Sequence, residues 1–176
     1  MEIRDDDPPG AALRRVIGWT GKMPSPCRSE VRCHLFAAKE RFVLLRRLGV
    51  ESVCLAHQAR PVDPSLLLEV GALATNHLTA MAEALPDRSF TRESFFNLMH
   101  SQVESHREMD ATWSTRSHGI QCLVAAQKKL GLLERAVPLA VGDEAIAAAR
   151  REAADCAVYI GFFIEAFRRR VPGCGA

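Results

Sequence analysis

The amino-acid sequence predicts an all-α fold: an antiparallel bundle of about five helices behind an irregular N-terminal arm. Three observations carry that expectation. Apolar residues recur at three- and four-residue intervals over long segments. Helix start and stop residues punctuate those segments. No alternating apolar–polar run of useful strand length interrupts them.

The elements follow in order. Residues 1–29 read as the arm, with Pro8, Pro9, Pro24 and Pro26 beside Glu2, Asp5, Asp6 and Asp7, relieved by a short apolar stretch from Leu13 to Trp19. Residues 30–176 then form the helical bundle domain. VRCHLFAAKERFVLLRRLG sets Val31, Leu35, Ala38, Phe42, Leu45 and Leu48 at helical spacing, and Gly49 is suited to cap that helix in a left-handed conformation. ESVCLAHQARP reads equally as a short extended piece or a helical turn, and Pro61 breaks it. The second helix starts at Asp63 as N-cap with Pro64 at its first position, and Pro86 lies just past its end. A third runs from about Thr91 to Trp113, and a fourth from about His118 to Ala136, ended by Pro138. The fifth opens at Gly142-Asp143-Glu144, with acids at the positive end of its dipole, and runs to Arg170 before Pro172-Gly173.

A faint internal repeat runs through this order. LFAAKERFVLLRRL (35–48) laid on LVAAQKKLGLLERA (123–136) matches at six of fourteen positions, and each is followed by a long helix. Duplicated helical hairpins, 31–85 and 118–170, would produce the match; so would the composition of any two Ala- and Leu-rich helices.

The totals exclude several classes. With 176 residues, 48% hydrophobic and 25% charged, the chain is globular and bounded to about one domain. No apolar run approaches the roughly 20 residues of a membrane span. MEIRDDDPPG lacks the basic region and apolar core of a secretory signal, so a cytoplasmic location is expected. A formal net charge of +2 gives no strong nucleic-acid signal, and Arg168-Arg169-Arg170 reads as cations opposing a helix dipole. The six cysteines have no framework spacing and read as reduced thiols. Only Cys54-x-x-His57 has the spacing of a structural zinc pair, so Cys27, Cys33, His34, Cys54 and His57 do not make a zinc motif.

Chemistry is best argued in the last two helices. Glu152 and Asp155 stand three apart and share a helix face at the edge of the apolar stretch Cys156 to Phe163. Such a carboxylate pair suits Mg²⁺, a hard cation needing few protein ligands where phosphates supply the rest. The bland reading is a surface pair balanced by Arg151 and its neighbours.

Gly142-Asp143, Glu152-Ala153-Ala154-Asp155 and the apolar run ending VYIGF resemble the closing helix of the MazG-type pyrophosphohydrolases. Within that superfamily the pattern is most similar to phosphoribosyl-ATP pyrophosphohydrolase, and Lys128-Lys129-Leu130-Gly131 is similar to the stretch that opens its acidic helix. MDATWSTRSH (109–118) resembles a polar stretch of some MazG-like proteins, so the resemblance covers about residues 104–168. It implies an all-α nucleotide pyrophosphohydrolase with Mg²⁺ on Glu152 and Asp155 and a phosphate contact from Lys128 or Lys129. The departure is equally clear. Where those enzymes carry glutamates on the preceding helix, this chain has Leu132, Leu133 and Ala136, with only Glu134 nearby. Glu104 and Glu108, one turn apart with His100 before them, are the other acids that could complete the site. The alternative is a non-catalytic helical protein–protein interaction module. The apolar circumference of the final helix, Cys156 to Ile164, further suggests a homodimer burying it.

Overall fold

Six α-helices and one 3-10 turn make up the regular structure of the described residues, and none of these residues is in a strand. The computed structural model describes residues 11–24, 26, 30–55, 64–86, 89–106 and 116–168. The helices are α1 (Ala11–Lys22), α2 (Val31–Leu55), α3 (Pro64–Ala84), α4 (Arg92–Ser105), α5 (Arg116–Ala136) and α6 (Asp143–Arg168), with the 3-10 turn at Val137–Leu139. Among the described residues no helix is long and apolar enough to cross a membrane.

Local chemistry sets most of the boundaries. Pro64 opens α3, as its fixed φ and missing N–H allow. Thr91 caps α4 through a reciprocal box: its Oγ1 accepts from the Ser94 N–H at 3.3 Å, and the Ser94 Oγ accepts from the Thr91 N–H at 3.3 Å. Pro138 sits in the 3-10 turn that ends α5. Gly142 adopts φ 87, which an L side chain rarely does, and its carbonyl takes the first α6 bond, from Ile146 N at 3.1 Å.

Helix α6 is the hub. α1, α3, α4 and α5 all pack on it, and α2 pairs chiefly with α3. From Ala153 to Ala166 every side chain of α6 is buried except the half-buried Tyr159. α5 and α3 run antiparallel to it: Cys156 reaches Ala126 of α5 where Glu152 reaches Lys129, and Arg150 reaches Leu85 of α3 where Ile160 lies against Gly71. Phe162 and Phe163 are fully enclosed, and truncating either would cost about 3–5 kcal/mol.

Two arginines pin helix ends inside this packing. Arg150 is buried on α6, donates from Nε to the Ala82 carbonyl (3.1 Å) and from Nη2 to that of Leu85 (3.3 Å), and lies over the Phe90 ring at 3.9 Å. It thus supplies donors and charge to the C-terminus of α3. Arg92 does the same for α1, donating to the carbonyls of Thr20 (2.7 Å) and Met23 (3.1 Å) and to Asn76 Oδ1 (2.6 Å).

Two expectations need correction. The stretch 1–29 is not wholly an irregular arm: residues 11–22 form α1, with Val16 fully buried and Thr20 donating to Val16 and Ala72 carbonyls. The apolar Leu13–Trp19 segment has a core to pack on, and Pro24 and Pro26 follow the helix instead of preventing it. Gly49 is no cap, because α2 continues through it to Leu55. A Cβ there would stand 2.5 Å from Cζ and 2.9 Å from Cε2 of Phe163, so the glycine is required by close helix packing. The apolar circumference of α6, on which the expectation of a homodimer rests, is covered within the chain by the helices around it. Asp63, Trp113, Cys27, His57 and Arg169-Arg170 lie outside the described residues.

The repeat has a geometric counterpart. Lys39 of α2 pairs with Glu134 of α5, and Arg46 Nη1 donates to Gln127 Oε1 at 3.2 Å. In the alignment above, Lys39 lies on Gln127 and Arg46 on Glu134. The two bonds therefore exchange under the repeat, as bonds do across a two-fold axis. Each half is a helix hairpin, α2–α3 and α5–α6, and these are the most extensive pairings in the chain.

Gly49→Ala should lower stability by about 1–3 kcal/mol through overpacking against the enclosed Phe163 ring. Gly131→Ala, whose Cβ meets nothing within 4 Å, should raise it by up to about 1 kcal/mol through helix propensity. Urea unfolding of both variants checks the pair, and equal effects would contradict the packing argument.

Candidate functional site

The antiparallel register of α5 on α6 sets Lys129 against the turn that carries Glu152 and Asp155. Its Nζ stands 2.7 Å from Asp155 Oδ2 and 3.0 Å from Glu152 Oε2. The Glu152 contact is a charge pairing at a poor hydrogen-bonding angle, and the shorter Asp155 contact is the stronger. Asp155 keeps only 10% side-chain exposure, so an uncompensated charge there would be costly. Its second oxygen is taken as well: His106 Nε2, at the C-cap of α4, lies 2.9 Å from Oδ1. The His106 ring packs at a tilt on Tyr159, centroids 5.3 Å apart. Asp155 therefore joins α4, α5 and α6.

Burial alone would lower the Lys129 pKa, but its contacts with Asp155 and Glu152 outweigh that and hold the ammonium above its ordinary value. Tyr159 is raised by burial and by the Asp155 charge beside it. The neighbouring thiols are poor nucleophiles, since burial pushes Cys122 up to about 12 and Cys156 higher still.

No family model, curated protein or solved structure matches this chain. The chemistry of the site therefore rests on its geometry.

That geometry sorts the sequence-predicted residues. Glu152 and Asp155 are together, as their spacing required, but the cation between them is Lys129. Lys129, expected at a phosphate, is the counter-ion of the acidic pair, and Lys128 beside it points to solvent. Glu134 is not brought to the pair; it turns to α2 and binds Lys39. Glu104 stands exposed on α4, and Glu108 lies outside the described residues. Leu133, at a position where the family carries a glutamate, is fully buried in the core, and Leu132 and Ala136 are half-buried. Among the described residues no group of three or more His, Cys, Asp or Glu could hold a metal ion. Mg²⁺ demands near-octahedral oxygen donors at roughly 2.1 Å. Two carboxylates already bonded to an ammonium and an imidazole do not fit that demand.

His106 and Tyr159 went unrecognised in the sequence. His106 is 49 residues from Asp155, and no spacing rule connects them. The Lys129 pairing did carry a signal, because a lysine pair and an acidic pair on consecutive antiparallel helices have opposite charge.

A second polar cluster occupies the first hairpin. His34 of α2 is buried, and its ring lies 5.9 Å from that of His77 of α3. Burial holds His34 below the usual histidine range, partly offset by Glu83. Burial, then the charges of His34 and Arg41, does the same for His77, whose Nδ1 is enclosed without a hydrogen-bond partner among the described residues. Burial thus disfavours the charged form of both rings in the fold, and both protonate more readily when unfolded. Their contribution to stability is complete above about pH 6.5 and is lost as pH falls below it. The urea midpoint should accordingly drop between pH 7.5 and 5.5, and His77→Gln should flatten that drop. An unchanged pH profile in the variant would show that His77 does not titrate with unfolding.

Proposed function

We propose that this protein is a non-catalytic helical binding module of the cytoplasm, a MazG-like bundle built from two related hairpins in which the acidic pair of the metal site has become an internal salt bridge. One observation carries this: the Lys129 ammonium lies within 2.7 Å of Asp155 and 3.0 Å of Glu152. The leucines at 132 and 133 support it, since they remove the acids that would outcompete a lysine for a divalent cation. In this reading the network of Asp155, Lys129, Glu152 and His106 fixes α4 and α5 on α6, and the protein acts through its outer surface.

The catalytic reading retains one point in its favour. The positive-φ Gly142 followed by Asp143 is the turn that the resemblance to the pyrophosphohydrolases implies. There, Lys129 would leave the carboxylates for a substrate phosphate, releasing Glu152 and Asp155 to Mg²⁺.

Thermal unfolding separates the two. Millimolar Mg²⁺ or Mn²⁺, with or without nucleoside triphosphates, should leave the wild-type Tm unmoved, and no pyrophosphate should be released. A rise on the order of 5 °C, as expected for an ion at a hundredfold excess over its Kd, would overturn the proposal. Lys129→Met should lose about 1–3 kcal/mol, less than the roughly 3–5 of a fully buried broken pair because Glu152 is part-exposed. Millimolar Mg²⁺ should then restore part of that loss.

A further inference from the structure

The two-fold relation of the hairpins has an outer side. On α2, Phe36, Glu40, Val43 and Arg47 follow one another at i, i+4, i+7 and i+11, a single stripe facing away from the core. The repeat lays them on Val124, Lys128, Gly131 and Arg135 of α5. Phe36 is 63% exposed and Val124 62%, so the corresponding positions of both helices leave an apolar side chain in solvent. Val43 is also 62% exposed, two turns from Phe36. Between the stripes runs the seam made by Lys39–Glu134 and Arg46–Gln127, which keeps the two helices side by side. A Cβ at Gly131 would meet nothing within 4 Å, so the α5 stripe has a low point between Val124 and Arg135.

Charge narrows what can cover this face. With Lys39 and Glu134 paired to each other, Arg32, Arg46, Lys128 and Arg135 outnumber the acid Glu40 among the described side chains. A second copy docked through the same face would set these cations against themselves, which disfavours self-association. An apolar stripe two turns long flanked by cations is complementary to an amphipathic helix with apolar residues at i, i+3 or i+4 and i+7 and acids beside them.

The geometry points to the α2–α5 face, centred on Phe36, Val43 and Val124, as the docking site for an acidic amphipathic helix of a partner protein. This rests on the non-catalytic reading, but its failure would leave that reading standing, because the Mg²⁺ and hydrolysis measurements do not involve this face.

The test is a display library of helical peptides about five turns long, apolar at i, i+4 and i+7, with acidic, neutral and basic flanks in equal proportion, sorted against the full chain. Acidic flanks should be enriched. Affinity of an enriched peptide, read by fluorescence anisotropy, should fall at least about tenfold in Phe36→Ser/Val124→Ser and in Lys128→Glu/Arg135→Glu, and should weaken with added salt. These four side chains are partly or wholly in solvent, and circular dichroism confirms that the variants fold. No enrichment, enrichment of neutral or basic flanks, or binding that survives both double variants would overturn the proposal. So would equal or tighter binding, lost in the same variants, of phosphatidylserine–phosphatidylcholine vesicles or single-stranded DNA. A mass by light scattering that doubles in wild type and not in Phe36→Ser/Val124→Ser would assign the face to a second copy instead.

Discussion

Everything in this fold answers to the need to cover α6. A helix that is apolar around its circumference has no face to offer water, so it must be enclosed on all sides. Four helices meet that need directly. The close approach of α2 at Gly49 lets the Phe163 ring fill the space where a side chain would have stood. Enclosure also fixes the polar chemistry. Where acids occur on a helix this deeply placed, they need polar partners from the helices that cover them, and Lys129 and His106 are the partners of Asp155. The salt-bridge network is thus a consequence of burial at one end of α6, where the sequence changes from REAAD to an apolar run.

The same constraint explains the two arginines at the helix ends. Helices packed end-on against a core cannot leave their last carbonyls to water, and both α1 and α3 end where an arginine from another helix is within reach. Arg150 and Arg92 each join two elements through backbone acceptors, so they specify the orientation of whole helices.

Helix existence was legible in the sequence because it depends on local rules. Pro64, Thr91, Pro138 and Gly142 mark boundaries by their own chemistry, and the structure keeps them. What needed the fold was anything decided by a distant neighbour. Gly49 carries the signal of a helix stop, yet a ring from residue 163 makes it a packing site. The stretch 1–29 reads as an arm around a short apolar segment because its prolines are visible in the sequence and the core that encloses Val16 is not. At the site, the pairing of Glu152 with Asp155 followed from their spacing, whereas the identity of the cation between them depended on the register of α5 against α6. A motif can state which carboxylates share a face; it cannot state what the facing helix brings to them.

The two hairpins differ in their inner chemistry and agree on their outer face. Lys129 lies on Arg41 in the repeat, yet Lys129 pairs with Asp155 and Glu152 on α6 whereas Arg41 is exposed. Cys122 lies on His34, and both are buried, the first a thiol and the second an imidazole beside the His77 ring. Corresponding positions are therefore filled by different chemistry, as expected where each half repacks independently around its own polar groups. The outer positions behave differently. Phe36 and Val124 remain apolar and exposed at the same place in both halves, although burial gives no reason to keep them so. A single exposed apolar side chain is ordinary on any protein surface. Two at corresponding positions, on either side of a polar seam and among cations, form a surface whose regularity the interior does not require.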